Sequence, residues 1–552
     1  MAQYYPTIYL RLTPVFDPEG AATGLVVRLE IQHPYAPHGQ PLLQFITSQN
    51  YVPGPPLREV DINAADDQGP LCVSFVDGPS DAHQTHTHWH LSRPPQGNLI
   101  LAYKVWARGV HDFGPRGTRR DLVRDQRGLT TTGMAILPRY LSNQMHRNIV
   151  EWVLPANAPE GTSCVSTLGD GPDPVSHVGH ASELYMGAYM VGPIRTYQRS
   201  NPPDWLGEFG ICHWFGILPT SIYPHILRYV QVMAPKMMYY FRKRGCTWRV
   251  FLCKGTRSRR GLAVHHGCII EYNEETDDLS DSLLTHVFTH EMVHNFSDMD
   301  PEDDGYDNRW FNEGLADYYA AVLPYRLGLR SYEYMVRHLN QALVAYYTSP
   351  MMCTDLQRPE TGGWFETLAP YHRGCAYLMW IDGVLRRGHD KLDLRSTCQL
   401  DYFVIQASHS RLRPLQIQAR NWIWHLEKHI NTHPHWIWGH FLGMLEGMPL
   451  DFGELLGGCS PYSVAPYYCR ILDFGFDVDS FPGPIRGVVH DSQACWVGIQ
   501  NGDVFIGISN IDECILDSGQ RMRGTIRRGD MIYRIDYLPR SGVRTLCWQV
   551  QI

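Results

Sequence analysis

The chain has 552 residues, of which 44% are hydrophobic and 19% are charged. This balance is typical of globular domains and excludes bulk disorder, and the length is too great for one ordinary core. The net charge of −8 provides no basic excess to neutralise a phosphate backbone, so we expect no nucleic-acid partner. No apolar run reaches the roughly 18 residues that span a bilayer, so we expect no membrane partner either.

The fourteen cysteines include no CxxC pair and show no short regular spacing. This pattern favours reduced thiols over a disulfide framework or a thiolate zinc site. The first residues contain no basic region followed by an apolar stretch, so no signal peptide is expected. Together these features predict a cytoplasmic location.

The N-terminal part is predicted to form β-structure. Apolar residues alternate along 8–12, 25–31 and 99–105, each with Gly or Pro nearby, as in half-buried strands. A stretch rich in Pro, Gly, Ser and Asp over 154–176 predicts a domain boundary.

The pattern changes beyond that boundary. Periodicity predicts a helix over 226–241, a strand over 248–253 and helices over 281–296 and 311–322, with further helices to about residue 450. A second linker is predicted over 457–466, and the last 80 residues return to short strands and turns.

One motif carries most of the chemical information. His290, Glu291 and His294 form a His-Glu-x-x-His pattern inside the helix predicted over 281–296. Histidines four residues apart lie on one helical face, where both imidazoles can reach one Zn²⁺. Glu291 lies one step around the helix, where it can take a proton from a water on the metal rather than bind the metal itself. The pattern alone is short enough to occur by chance.

A third ligand makes the pattern more specific. Eighteen residues separate His294 from Glu313, which lies early in the next predicted helix. Two histidines and a glutamate leave a coordination position open, as in catalytic zinc sites. We therefore expect one zinc ion per chain, bound by His290, His294 and Glu313. Asp317, one turn beyond Glu313, either orients a zinc-binding histidine or is an ordinary solvated carboxylate.

The spacing and the Asn-Glu-Gly sequence around Glu313 resemble the gluzincin metallopeptidases, the aminopeptidase type in particular. Residues 370–376, Pro-Tyr-His-Arg-Gly-Cys-Ala, are similar to the Tyr-x-Lys-Gly-Ala segment of those enzymes. The resemblance implies that Tyr371 donates a hydrogen bond to the oxyanion of the tetrahedral intermediate, which a neutral phenol can do at pH 7. The alternative for Tyr371 is an ordinary half-buried core tyrosine.

A closer resemblance is to metallopeptidase family 61, the glycyl aminopeptidase-like proteins. Residues 492–505 are similar to the core sequence of bacterial-type PDZ domains, and residues 101–107 and 127–138 resemble the family's N-terminal domain. The resemblance implies an α+β multidomain fold. Its parts would be a β-sandwich-like domain over 1–160, a thermolysin-like zinc domain with a helical part over 161–455, and a PDZ-like domain over 465–552. The PDZ-like domain either binds a peptide C-terminus by strand addition or is a structural appendage.

One departure from the family bears on specificity. The family has a Gly-Gly-Leu-Glu-His segment whose Glu binds the substrate's α-ammonium group. The corresponding stretch here is 260–267, with Ala263 in place of that Glu. A buried ammonium would lose its counter-charge, at a cost of several kcal/mol, unless Glu271 or Glu274 replaces it.

The same stretch is expected to line the substrate cleft along an edge strand. Gly261 and Ala263 are predicted substrate-binding residues. His265 and His266 either contact the substrate as well or only flank the cleft.

The sequence thus predicts a zinc hydrolase that acts on a peptide or a small amide. An alternative is a site repurposed for small-molecule or modified-peptide chemistry, such as cyclisation, dehydration or ester hydrolysis. A third is a non-catalytic PDZ scaffold. The retention of Glu291 and Tyr371 argues against that third alternative, because a structural zinc needs neither.

Overall fold

The computed structural model describes residues 4–35, 41–49, 52–53, 57, 61–78, 84–108, 121–199, 209–243, 247–255, 260–296, 299, 306, 308–356, 363–386, 399–409, 418–430, 436–453, 462–480, 483–506 and 510–551. The chain divides into two compact units, Met1–Asn295 and Phe296–Ile552. In the described parts of both units, every helix is too short or too polar to cross a membrane. The division into three domains stays a prediction.

The described part of the first unit consists mainly of β-strands, with four α-helices. The strands are β1 (Thr7–Phe16), β2 (Ala22–Ile31), β3 (Leu43–Gln49), β4 (Val52–Pro53), β5 (Asn63–Asp66), β6 (Gly69–Leu71), β7 (Val73–Asp77), β8 (Gln84–Leu91), β9 (Leu99–Trp106), β10 (Val123–Asp125), β11 (Gly128–Thr132), β12 (Arg139–Tyr140), β13 (Met145–Trp152), β14 (Ser163–Ser166), β15 (Gly169–Asp170), β16 (Val175–His180), β17 (Ala188–Gly192), β18 (Ile194–Tyr197), β19 (Phe209–Phe215), β20 (Trp248–Lys254), β21 (Arg260–Val264) and β22 (Gly267–Tyr272). The helices described there are α1 (Gly133–Ile136), α2 (Ser182–Tyr185), α3 (Leu227–Tyr240) and α4 (Asp281–Val293).

Three sheets in the first 192 residues share one apolar core. A seven-stranded sheet has the order β16-β13-β1-β2-β9-β5-β6, and two smaller sheets have the orders β10-β11-β17-β14-β15 and β12-β3-β8-β7. The alternation along 8–12 arises because Ile8, Leu10 and Leu12 point into this core while their neighbours do not. The predicted strands are confirmed as β1, β2 and β9.

A fourth sheet positions the candidate site. Its order is β18-β19-β20-β22-β21, so β21 is an edge strand, as predicted for 260–267. Helix α4 packs on β21 and β22. The opposite face carries Val264 and Ile269, which pack in a separate apolar cluster with residues of β14 and β17. Successive residues of β21 and β22 therefore point alternately to the face that packs on α4 and to the face that packs on β14 and β17.

The second unit combines helices with a C-terminal β-region. Its described elements are α5 (Arg309–Arg326), α6 (Tyr332–Thr348), α7 (Trp364–Leu385), α8 (Gln399–His409), α9 (Ala419–Ile430), α10 (Trp436–Glu446), β23 (Val464–Leu472), α11 (Gln493–Trp496), β24 (Val504–Phe505), α12 (Ile511–Leu516), β25 (Met522–Arg528), β26 (Met531–Tyr537) and β27 (Arg540–Val550). Strands β23 and β27 pair with each other, and β24, β25 and β26 form a three-stranded sheet.

Helices α5 and α7 approach each other through two glycines. A Cβ atom added at Gly374 would overlap the carbonyl oxygen of Trp310, and one added at Gly314 would overlap the backbone of Gly374. Backbones can come this close only where both helices lack side chains. The contact fixes α5, which carries Glu313, against α7, which carries Tyr371.

Candidate metal centre

Helix α4 supplies the two histidines of the motif. It begins after Ser280, whose side-chain oxygen accepts a hydrogen bond from the Leu283 backbone N–H at 3.2 Å, an N-cap that satisfies a free donor of the first turn. The helix ends at Val293, and His294 caps it with a helical backbone. Both motif histidines are therefore held on one rigid element, and His290 is buried.

The histidine rings converge as the spacing predicts. His290 Nε2 and His294 Nε2 lie 3.1 Å apart, and the ring centroids are 4.9 Å apart with planes inclined at 78°. Ligand atoms on a tetrahedral zinc, with bonds of about 2.0–2.1 Å, lie roughly 3.3 Å from each other. The pair thus has the separation that two imidazole ligands of one divalent ion require. A ring nitrogen of His286, one turn earlier, also comes within 4.8 Å of one from His290.

Glu291 is buried between α4 and the edge strand. A Cβ atom at Gly261 would overlap its carboxylate, so the missing side chain at 261 makes room for the carboxylate beside β21. Cys268 of β22 lies on the same side, where burial and the nearby Glu291 charge raise the pKa of its thiol. Glu291 is thus held by packing in a fixed place beside the strand predicted to bind substrate.

Ala263 lies on the same face of the sheet as Gly261. It pairs with Cys268 across the hairpin, as Gly261 pairs with Ile270, and cross-strand partners share a face. The position at which the sequence resemblance predicts an ammonium-binding Glu thus carries only a methyl group, on the Glu291 side.

The structure does not support Glu271 as a replacement for that Glu. Glu271 pairs with Arg260, which places it on the face of Ile269, away from Cys268 and Glu291. Its carboxylate lies against Gly255, where an added Cβ atom would come within 2.5 Å of an oxygen. The side chain of Glu274 lies outside the described residues.

In the second unit, α5 presents Glu313 and Asp317 one turn apart. The preceding Asn312 fixes the entry to this helix: its Oδ1 accepts from the Met299 backbone N–H at 2.7 Å, and its Nδ2 donates to the Met299 carbonyl at 3.0 Å. The Asn of the Asn-Glu-Gly sequence therefore connects the first turn of α5 to the backbone of Met299.

Tyr371 lies half-buried on α7, next to His372. Both ring nitrogens of His372 are buried and form no hydrogen bond with the described residues. Burial lowers the pKa of His372, and the charge of Asp317 only partly offsets this. His372 is therefore neutral at pH 7, with the Asp317 carboxylate near it. Sequence analysis gave His372 no role, although it directly follows Tyr371.

His265 and His266 form the turn between β21 and β22, beside residues that sequence analysis did not single out. His265 Nε2 lies 3.5 Å from Glu183 Oε1, and the His177 and His266 ring centroids are 5.5 Å apart. Glu183 and His177 have no motif in the sequence to mark them. Substrate contact by His265 and His266 stays a prediction.

The sequence matches no protein-family model and no curated protein, but the fold is similar to solved structures. An aminopeptidase N family protein from Idiomarina loihiensis aligns over 98% of this chain and 98% of its own, with a TM-score of 0.59 and 13% identity. A mutant of an M1 zinc metallopeptidase from Deinococcus radiodurans, bound to a Tyr-Ser-Ala substrate, aligns over 81% of this chain and 95% of its own. Its TM-score is 0.50 and its identity 16%. The chain therefore has a mixed α/β multidomain fold that matches aminopeptidase-like structures, which confirms the predicted class in this coarser form.

Proposed function

We propose that the protein is a zinc-dependent hydrolase of the gluzincin type that acts on a peptide or a small amide. The observation that carries the proposal is the 3.1 Å approach of His290 Nε2 and His294 Nε2 on a helix whose Glu291 is packed against an edge strand. The two similar structures, an aminopeptidase N family protein and an M1 zinc metallopeptidase, agree with this activity.

In this proposal His290, His294 and Glu313 hold one zinc ion. Two imidazoles and a carboxylate are the donor set of catalytic zinc sites, and the separation of the two ring nitrogens fits it. Zinc bound there would act as a Lewis acid that lowers the pKa of a water and polarises the scissile carbonyl. Asp317 is proposed to orient a ligand histidine through its second ring N–H.

The protein's own residues move the proton and stabilise the developing charge. The Glu291 carboxylate accepts a proton from the attacking water and returns it to the leaving amine. The Tyr371 phenol donates a hydrogen bond to the oxyanion as negative charge develops on it. Gly261 keeps Glu291 in place, because any side chain at 261 would push its carboxylate away.

A second candidate function is small-molecule or modified-peptide chemistry at the same site, such as cyclisation, dehydration or ester hydrolysis. The observation that favours it is the methyl group of Ala263 on the Glu291 side of the sheet, together with Glu271 on the other side. Without a carboxylate at 263, the site lacks the counter-charge that the resemblance assigns to this position for a free α-ammonium group.

Three finer assignments belong to the same proposal. The chain is proposed to be a member of metallopeptidase family 61, with a thermolysin-like catalytic domain. Its C-terminal part, over 465–552, is proposed to be a PDZ-like domain that can take a peptide C-terminus. The proposed location is the cytoplasm.

The test is a peptide-library digest with the native protein and with Glu291→Gln. Gln is nearly isosteric with Glu but cannot accept a proton, so cleavage should fall by at least about 10²–10⁴-fold while zinc content stays unchanged. Loss of zinc from Glu313→Ala, measured by elemental analysis, checks the third ligand. An active Glu291→Gln protein would refute hydrolysis with this base. Cleavage of no peptide by a fully zinc-loaded native protein would favour the second candidate.

A further inference from the structure

A second group of metal-ligating side chains lies in the first unit, outside the proposed catalytic residues. It consists of His177 at strand β16, Glu183 on helix α2 and His266 in the β21–β22 turn, and one ligand atom from each lies within 4.8 Å of the others. His177 Nδ1 is 2.8 Å from Glu183 Oε2. The His177 and His266 rings are nearly perpendicular, at 84°.

The Glu183 carboxylate is held in one orientation. Its Oε1 accepts the backbone N–H of His180 at 3.2 Å and lies 3.5 Å from His265 Nε2, which leaves Oε2 for His177. A Cβ atom at Gly179 would overlap this carboxylate, so the strand provides the room that it occupies. Burial raises the pKa of Glu183, but the hydrogen bond from His177 and the neighbouring histidine charges outweigh it and hold the pKa below its usual value.

The backbone at the turn also departs from what a hairpin favours. His266 has a φ of +58°, a left-handed conformation that is costly for residues other than Gly, although His tolerates it better than most. Two-residue hairpin turns normally favour Asn-Gly. His266 therefore places an imidazole at a turn position whose backbone conformation favours glycine.

We propose that His177, Glu183 and His266 bind a second divalent transition-metal ion, with Zn²⁺ as the expected occupant. Imidazole and carboxylate are the donor types that such ions prefer. The His177 side chain is 43% exposed, so the ion can enter from solvent and complete its coordination with water. His265, on the other carboxylate oxygen, orients Glu183 for binding.

The ion has a structural role in this proposal. It joins the β21–β22 hairpin to β16 and α2, and β21 is the strand that carries Gly261 and Ala263. Fixing the hairpin turn restricts the strand that packs against Glu291. The inference adds a second zinc ion and does not depend on hydrolytic activity.

The test uses the full chain loaded with Zn²⁺ alone, with zinc measured after gel filtration. The native protein should hold about two ions per chain at saturation, and His266→Gly should hold about one. Gly is chosen because it removes the ligand and also suits the positive φ, so the turn should still form. His180→Ala is the matched control, because that side chain lies on the opposite face of β16 from His177 and only its backbone contacts Glu183.

The His294→Ala background separates the two sites. Zn²⁺ should raise the melting temperature of His294→Ala, and this increase should disappear in His294→Ala/His266→Gly and in His294→Ala/His177→Ala. The proposal would be overturned if the His266→Gly and His177→Ala changes altered neither the zinc content nor the zinc-induced rise in melting temperature. The three residues would then form only a hydrogen-bonded histidine–carboxylate cluster. If only the proposed catalytic site fails to bind zinc, the result differs: the native chain holds one ion, and His266→Gly loses that ion.

Discussion

The position of Glu291 depends on a glycine thirty residues earlier in the chain. Because a Cβ atom at Gly261 would overlap the Glu291 carboxylate, Gly261→Ala should displace the carboxylate rather than the helix. The end of a Glu side chain moves easily, so zinc content and melting temperature should change little. A general base displaced by about 1 Å loses roughly 100-fold in rate, and kcat should fall by about that factor.

The measurement for Gly261→Ala is kcat beside zinc content and thermal unfolding. Ala263→Gly, on the same face of the same strand, is the control, because it removes atoms instead of adding them next to Glu291. Full activity of Gly261→Ala would show that the carboxylate finds another productive position.

The alanine at position 263 leads to a prediction about how the charge on the substrate's N-terminus affects the rate. Without a carboxylate at position 263, free α-amino substrates should gain little over N-acetylated ones, because burying an unpaired ammonium is costly. Ala263→Glu should create a preference for the free amine of about 10- to 100-fold in kcat/KM, equivalent to about 1.4–2.7 kcal/mol. Ala263→Gln matches the size without the charge. A preference of roughly 100-fold for the free amine in the native protein would contradict this account.

At the scale of elements, the α5–α7 contact should tolerate no side chain. Gly374→Ala places a methyl group against the Trp310 carbonyl, which is backbone and cannot rotate away. Separating the helices opens voids in a packed core, and overpacking typically costs about 1–3 kcal/mol. Gly439→Ala in α10 is the control, because nothing lies within 4 Å of its added Cβ atom. There alanine should stabilise the helix by up to about 1 kcal/mol.

Urea unfolding measures the free energy of unfolding of Gly374→Ala and Gly439→Ala. Since α5 carries Glu313 and α7 carries Tyr371, Gly374→Ala should also lower activity, whereas Gly439→Ala should not. Equal stability of the two variants would mean that α5 and α7 separate without cost.

Local periodicity predicted the elements well and their long-range relations poorly. Alternating residues predicted β1, β2 and β9, and a spacing of four residues placed His290 and His294 on one face of α4. Which face of the sheet Ala263 and Glu271 occupy depends on the register of the β21–β22 hairpin. That register is set by a two-residue turn and not by either strand's own pattern.

The cluster of His177, Glu183 and His266 cannot be predicted from the sequence, for a related reason. Glu183 lies on a four-residue helix, and more than eighty residues separate it from His265 in the chain. Short helices give too few residues for a periodic signal, and nothing local indicates a contact over that separation. The histidines at 265 and 266 have a sequence signal only because they belong to the stretch 260–267 that resembles the family's ammonium-binding segment.

At the scale of the second unit, buried charges join its helices to its C-terminal strands. Asp382 of α7 lies 3.3 Å from Arg326 of α5 and 3.0 Å from Arg386, and it accepts the Tyr462 hydroxyl at 2.7 Å. Arg326 also pairs with Asp401 at 3.0 Å. The side chains of Arg326, Asp382 and Asp401 are each at most 1% exposed. Two guanidinium groups thus share two buried carboxylates.

This arrangement predicts that the helices and the C-terminal strands unfold together. Asp382→Asn leaves two buried guanidinium groups with one carboxylate, which should cost about 3–5 kcal/mol. Because Tyr462 lies two residues before β23 and Asn340 of α6 bonds the Val550 backbone, hydrogen-exchange protection should fall in α7 and β27 alike. Asp536→Asn, which removes a half-exposed ion pair with Arg521, should leave the unfolding midpoint unchanged. If protection in β23 and β27 survives Asp382→Asn while α7 loses it, the C-terminal part is an independently stable domain, as the predicted PDZ-like boundary at 465 implies.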